Sequence, residues 1–118
     1  MPGIADPTLA PEGRRRIDWA RQHMPVLHRL LEERLQDGAL DGRRVAVVVH
    51  LEAKTACLVL ALRAAGADVV AAGSNPLSTQ DAVCAALAEQ GVEVHARHGV
   101  PQDEFTADLL AVAESGAE

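Results

Sequence analysis

The chain has 118 residues, room for one domain but not for a catalytic domain beside a separate dinucleotide-binding domain. A hydrophobic fraction of 48% can fill one core, yet with one Phe, one Trp and no Tyr that core must come from Ala, Val and Leu, which excludes an aromatic platform for single-stranded nucleic acid. The net charge of −6, from 11 basic and 17 acidic residues, excludes a phosphate backbone as the main partner.

From about Thr8 to Leu35, apolar residues recur at helical spacing: Ile17, Ala20, Met24, Leu27, Leu31 and Leu35. Pro25 interrupts the run, so two helices or one kinked helix are predicted, broken after His23. Arg14, Arg15 and Arg16 lie in this pattern beside Asp18 and read as a solvated face. Gln36 to Gly42 is a turn-rich connector, dividing a helical arm (residues 1–42) from an α/β part (residues 43–118). The continuous apolar run Val45 to Val49 predicts a strand buried on both faces.

Glu52 to Ala65 is Ala- and Leu-rich and free of Gly and Pro, predicting a helix that Gly66 stops. Asp68 to Ala72 is a second strand, and GSNPL a loop. Ser78 to Gln90 is a helix in which Ser78 caps the first turn, with Asp81 three residues on. Val92 to Ala96 is a third strand, and Pro101 to Glu114 a last helix with Pro near its first position. Strands alternating with helices imply a parallel sheet covered on both faces, the three-stranded βαβαβα half of a Rossmann- or flavodoxin-like open sheet behind a helical arm.

Cys57 and Cys84 stand alone among Ala, Leu and Val, without CxxC or metal-ligand spacing, and read as core thiols in a reducing compartment. The opening stretch MPGIADPTLAPEGRRR shows no basic-then-apolar leader, and no apolar run approaches the roughly 20 residues of a membrane span. A cytoplasmic protein that binds no nucleic acid and no membrane is expected.

Ligands of open α/β sheets collect beyond the C-terminal strand ends. Two polar clusters fall there: His50 with Glu52, Lys54 and Thr55 after the first strand, and Ser74-Asn75 with Ser78-Thr79-Gln80 after the second. Each opens a helix, whose free N–H groups and positive dipole end face the same edge. His50 reads either as a general acid/base or orienting group, or as a surface and capping residue. His95 and His98 are three residues apart but lack acidic or thiol neighbours, so no metal site is expected.

Three stretches carry a resemblance: LAPEGRRRIDWARQHMPVL, then RVAVVVHLEAKTACLVLALRAAGADVV, then GSNPLSTQDAVCAALAEQGVEVHARHGV. In order and spacing they resemble the N-terminal part of the substrate-binding domain of S-adenosylhomocysteine hydrolase. The signatures are the frame from Leu9 to Pro25, His50 with Thr55-Ala56, and the block Asn75-x-x-Ser78-Thr79-Gln80-Asp81. The resemblance implies reversible cleavage of S-adenosylhomocysteine to adenosine and homocysteine by a family that uses a tightly held NAD. By that resemblance His50 corresponds to the histidine working near the 5′ leaving group, while Thr55, Ser78, Thr79 and Gln80 line the substrate cleft.

The family pattern H-x-T-x-E-T departs here at Glu52 and Lys54: a hydroxyl has become a carboxylate, and a carboxylate able to accept from the adenine amino group has become an ammonium that accepts nothing. The resemblance spans only the first quarter or so of a family member, without the ribose-binding residues or the Gly-rich NAD loop. NAD is therefore expected of the full-length family and not of this chain alone, which is not competent by itself. A homo-oligomer or a complementing chain is the expected partner. A non-catalytic nucleoside-binding module and a protein-interaction module stand as alternatives.

Overall fold

The computed structural model describes residues 3–36 and 38–118; Asp37 of the expected connector, with Met1 and Pro2, lies outside the described residues. A 3-10 turn at Pro7–Leu9, held by the Asp6 carboxylate accepting from the Thr8 N–H at 2.8 Å, leads into α1 (Ala10–Gln22). The Thr8 bonds also hold the Asp6 carboxyl below its usual pKa. The chain breaks before Pro25, which opens α2 (Pro25–Arg34), as the missing proline N–H requires.

Next come β1 (Arg44–Val49), α3 (Ala53–Ala64), β2 (Asp68–Gly73), α4 (Asp81–Glu89), β3 (Glu93–His95) and α5 (Gln102–Ala113). The three strands form one parallel sheet in the order β1-β2-β3, with Arg44 opposite Asp68 and Val70 opposite Glu93. The fold is the expected open α/β half-sheet behind a helical arm.

Side-chain alternation along β2 sorts the helices. Val69 and Ala71 enter the main core with Ile17 and Ala20 of α1, Val59 and Leu60 of α3, and Val83 and Leu87 of α4. Val70 and Ala72 face the other way, where only Val112 of α5 joins them among the buried residues. Each fully buried Leu or Val on the main side contributes roughly 1.5–3 kcal/mol. Helix α1 reaches α4 so closely at Gly13 that a Cβ there would overlap the Ala82 carbonyl oxygen. Both thiols are buried and free, and burial pushes Cys84 up to about 12 and raises Cys57 as well.

Helix α2 buries none of its residues, and its Val26 and Leu30 are 72% and 48% exposed. Between it and α3 runs a cleft of about 450 Å³ lined by Met24, Leu27 and Leu31 on one side and Cys57, Leu60 and Ala61 on the other. Helix α5 is anchored differently: Asp108, 2% exposed, accepts from Arg97 at 3.1 Å, tying the helix to the chain just past β3.

The expectation that the first strand is buried on both faces is corrected. β1 is an edge strand, and Val48 is 46% exposed: α5 lies over β2 and β3, and on that face of β1 only Ala46 packs against its cluster. Along that edge lies Glu118. Its N–H donates to Arg44 O at 2.9 Å and its carbonyl accepts from Ala46 N–H at 2.8 Å, the exchange of a parallel bridge centred on Val45. Among the described residues no helix is long and apolar enough to cross a membrane.

Candidate functional site

The two polar clusters do meet at one edge. Parallel strands β1 and β2 end side by side, Val49 opposite Gly73, so the residues that follow them are neighbours. His50 leaves β1 exposed to solvent, and its Nδ1 lies 2.5 Å from Ser78 Oγ. Ser78 Oγ in turn lies 3.1 Å from the Asn75 carbonyl. Only one proton arrangement satisfies both contacts: the Ser78 hydroxyl donates to Asn75 O and accepts from His50 Nδ1–H. The Nδ1 proton is assigned from this chain of bonds, and Nε2 is left as the ring nitrogen that Ser78 does not engage.

Ser78 is thus not the helix cap that the sequence motif predicts. Helix α4 starts at Asp81, its N-cap is Gln80, and no side chain caps it. The reason is Asn75, whose carbonyl accepts from the Ser78 N–H at 3.2 Å and from Thr79 Oγ1 at 3.1 Å, while its Oδ1 accepts from the Leu77 N–H at 2.9 Å. These bonds close a turn before the helix begins. Thr79 is buried beneath it, 4% exposed, and a Cβ at Gly73 would come within 2.7 Å of its Oγ1. Only glycine at the end of β2 allows the turn to sit this close.

Glu52 takes the capping role instead, on α3. Its Oε1 accepts from the Thr55 N–H at 2.9 Å, and the Thr55 hydroxyl accepts from the Glu52 N–H at 3.1 Å, a reciprocal capping box. Thr55 Oγ1 also donates to His50 O at 2.5 Å, fixing the strand end to the helix start. Lys54 projects exposed from the first turn of α3 and makes no ion pair or hydrogen bond among the described residues. Gln80 is fixed by its backbone, donating to Leu51 O at 3.0 Å, and its Oε1 accepts from Arg16 of the arm at 3.3 Å.

Sequence reasoning missed how the loop after β3 closes this edge. His98 donates its backbone N–H to Asp81 Oδ1 at 2.9 Å, and its Nδ1 lies 3.0 Å from Thr79 O, so the loop after β3 closes over the Ser78–Asp81 turn. Nothing in local spacing links residues 79 and 98. Among the described residues no three metal-binding side chains cluster.

Whether this edge fits NAD can be tested on the turn after β1. A dinucleotide pyrophosphate needs glycines for close backbone approach and free N–H groups at a helix N-terminus. Here the turn is His50-Leu51-Glu52, without glycine, and the Glu52 carboxylate already takes the Thr55 N–H and places negative charge where the phosphates would lie. The residues do not fit NAD.

An open parallel sheet with hydroxyl, imidazole and charged groups converging beyond its C-terminal strand ends places the chain in the open α/β class, whose ligands collect at that edge. Within that class the chain belongs to the S-adenosyl-L-homocysteine hydrolase family, whose model matches residues 3–116. It is 52% identical over 106 residues to the S-inosyl-L-homocysteine hydrolase of Methanopyrus kandleri, which covers 90% of this chain and 25% of that protein. It is 43% identical over 118 residues to the enzyme of the same name from Methanococcus maripaludis, covering 100% of this chain and 28% of that protein. Against the adenosylhomocysteinase of Pyrococcus abyssi it is 50% identical over 102 residues, 86% of this chain and 24% of that protein. The chain spans about a quarter of the length of these curated relatives and is a partial member of the family.

Proposed function

We propose that this chain supplies the His50–Ser78 side of the substrate cleft of an S-nucleosyl-L-homocysteine hydrolase, and that the nucleoside it favours carries a 6-oxopurine. It does not act alone. NAD belongs to the remaining part of the family enzyme.

The observation that carries the base preference is the pair Glu52 and Lys54 at the start of α3. By the family resemblance, position 54 faces the 6-substituent of the purine. An amino group there donates, and an ammonium opposite leaves it unpaired; an oxo group accepts, and Lys54 satisfies it. A 6-oxopurine also bears an N1–H donor. Glu52 has one carboxylate oxygen in the helix cap and a second free to accept from it. Inosine has this pattern and adenosine the inverse, and two of the relatives above bear S-inosyl names. Overall identity does not separate the two substrates, since the S-adenosyl relative is as similar.

His50 is the group for proton movement at the 5′ thioether end, with Ser78 and Asn75 orienting the ring so that Nε2 is the working nitrogen. Thr55 positions it by bonding its carbonyl. Thr79 and Gln80 shape the cleft wall, one from beneath and one through Arg16. We place the protein in the cytoplasm, which the two free, buried cysteines support.

Titrating inosine and adenosine into the isotope-labelled chain, with amide and imidazole NMR shifts as readout, tests the reading. Inosine is expected to move His50 and residues 51–55 at lower concentration than adenosine. Lys54→Glu is expected to invert the preference by about tenfold, the worth of one hydrogen bond of roughly 1.4 kcal/mol. Equal binding of both nucleosides, or a preference untouched by Lys54→Glu, overturns it.

A further inference from the structure

Helix α4 forgoes the side-chain cap that its sequence offers. Ser78 and Asp81 are spaced as a capping box would place them, yet Gln80 is the N-cap and no side chain bonds it. Both members are engaged elsewhere, each by a histidine. Ser78 Oγ meets His50 Nδ1 at 2.5 Å on the β1 side, and Asp81 Oδ1 accepts from the His98 N–H at 2.9 Å on the β3 side.

The loop after β3 holds the same turn at two further points. His98 Nδ1 lies 3.0 Å from Thr79 O, and because a carbonyl only accepts, that nitrogen carries the proton. The Gly99 N–H donates to Pro76 O at 3.0 Å from a backbone φ of +71°, which glycine adopts without strain. Pro76 lies before Ser78, and Thr79 and Asp81 after it, so these bonds fix the backbone that carries the Ser78 hydroxyl. Asn75 closes the turn from within, but the Thr79 carbonyl has no partner except His98 among the described residues. The loop is itself anchored. Arg97, next to His98, reaches α5 instead, donating to Asp108 at 3.1 Å and to Glu104 at 3.3 Å.

We propose that His98 is a positioning residue for His50. By pinning the Asn75–Asp81 turn it sets Ser78 Oγ where it accepts from His50 Nδ1–H, and so directs His50 Nε2 to the reacting atoms. It acts through Thr79 and Ser78, one residue apart on the turn. Removing its imidazole releases the Thr79 carbonyl to water and lets the turn swing away from His50. The inference rests on the proton-moving role given to His50 above and is independent of the choice of purine.

The test reads the His50 ring in the chain without nucleoside. His98→Ala, His98→Asn and His98→Gln are made with isotope-labelled histidine, and ring-nitrogen NMR is recorded where the imidazoles are neutral. Wild-type His50 is expected to carry its proton on Nδ1. His98→Ala is expected to shift the His50 tautomer ratio toward Nε2–H about fivefold, the equivalent of one ordinary hydrogen bond. In His98→Asn an amide N–H stands where Nδ1–H stood, and the ratio is expected to return to that of the wild type. His98→Gln carries its amide one carbon farther out and is expected to leave the ratio shifted. Gly99→Ala strains the positive φ and is expected to move the ratio the same way, which decides the matter should His98→Ala fail to fold. A His50 ratio unchanged in His98→Ala or, failing that variant, in Gly99→Ala overturns the proposal, as does His98→Asn no better than His98→Ala. A wild-type proton on Nε2 removes the bond that His98 is said to set and overturns it as well. Ring ratios that behave as expected support the proposal even where the nucleoside preference fails, which strikes only the purine reading.

Discussion

The two faces of the sheet are built to different standards. On one, α1, α3 and α4 enclose Val69, Ala71, Val83 and Leu87, with Gly13 letting two helix backbones touch. On the other, one helix covers two of three strands, tied down by Arg97, which pairs with both Asp108 and Glu104 of α5. The closed face is a finished core, whereas the open face depends on the ion pairs of one arginine and leaves Val48 and Leu110 to solvent. Close packing makes the first intolerant of any change in volume, while the second has little packing to lose.

The comparison can be broken or sharpened by mutation, with urea unfolding as the measurement. Asp108→Ala is expected to cost about 3 kcal/mol, at the low end for a broken buried pair, because the part-buried Arg97 guanidinium is left with the exposed Glu104 alone. A cost under about 1 kcal/mol would show that α5 is held by its few apolar contacts after all. Leu87→Ala on the closed face is expected to cost roughly 2–5 kcal/mol, against less than about 0.5 kcal/mol for Leu110→Ala on the open face. Gly13→Ala, adding one methyl against Ala82, is expected to cost about 1–3 kcal/mol, and a neutral result would mean α1 and α4 can separate freely.

Absent at neutral pH is a further effect on the closed face. Burial raises the Cys84 pKa from 9.0 to about 12, so the folded state keeps the thiol neutral while the unfolded state ionises first. Stability is then complete below pH 9.0 and declines as pH rises toward about 12. Cys84→Ala is expected to flatten that alkaline decline, and an unchanged slope would assign it to other groups.

Much of this was legible from residue order alone. The break at Pro25, each strand and each later helix follow from periodicity and from Gly and Pro punctuation. The convergence of His50 with Ser78 followed from both lying past the ends of adjacent parallel strands. What stayed hidden depended on neighbours that local pattern does not encode. The run at Val45–Val49 reads the same at an edge as in a sheet centre, because burial of β1 is decided by strand order and by the reach of α5. Ser78 fits a capping motif, but Asn75 closes a turn first and leaves the serine free for His50. Asp108 is buried against Arg97, which the chain after β3 brings onto α5, a contact no local pattern encodes.

Helix α2, which buries nothing and stands across a cleft from α3, sets the order in which the molecule opens. Opening free energies rise from frayed segments to the core, and a helix with so few contacts sits at the low end of that range. Residues 24–36 should therefore exchange and be cut by proteases while α1, held by Ile17 and Ala20, stays in place. The first sign of heat or denaturant would be loss of a few turns of helix with the sheet intact, a step that circular dichroism records before any signal from the strands.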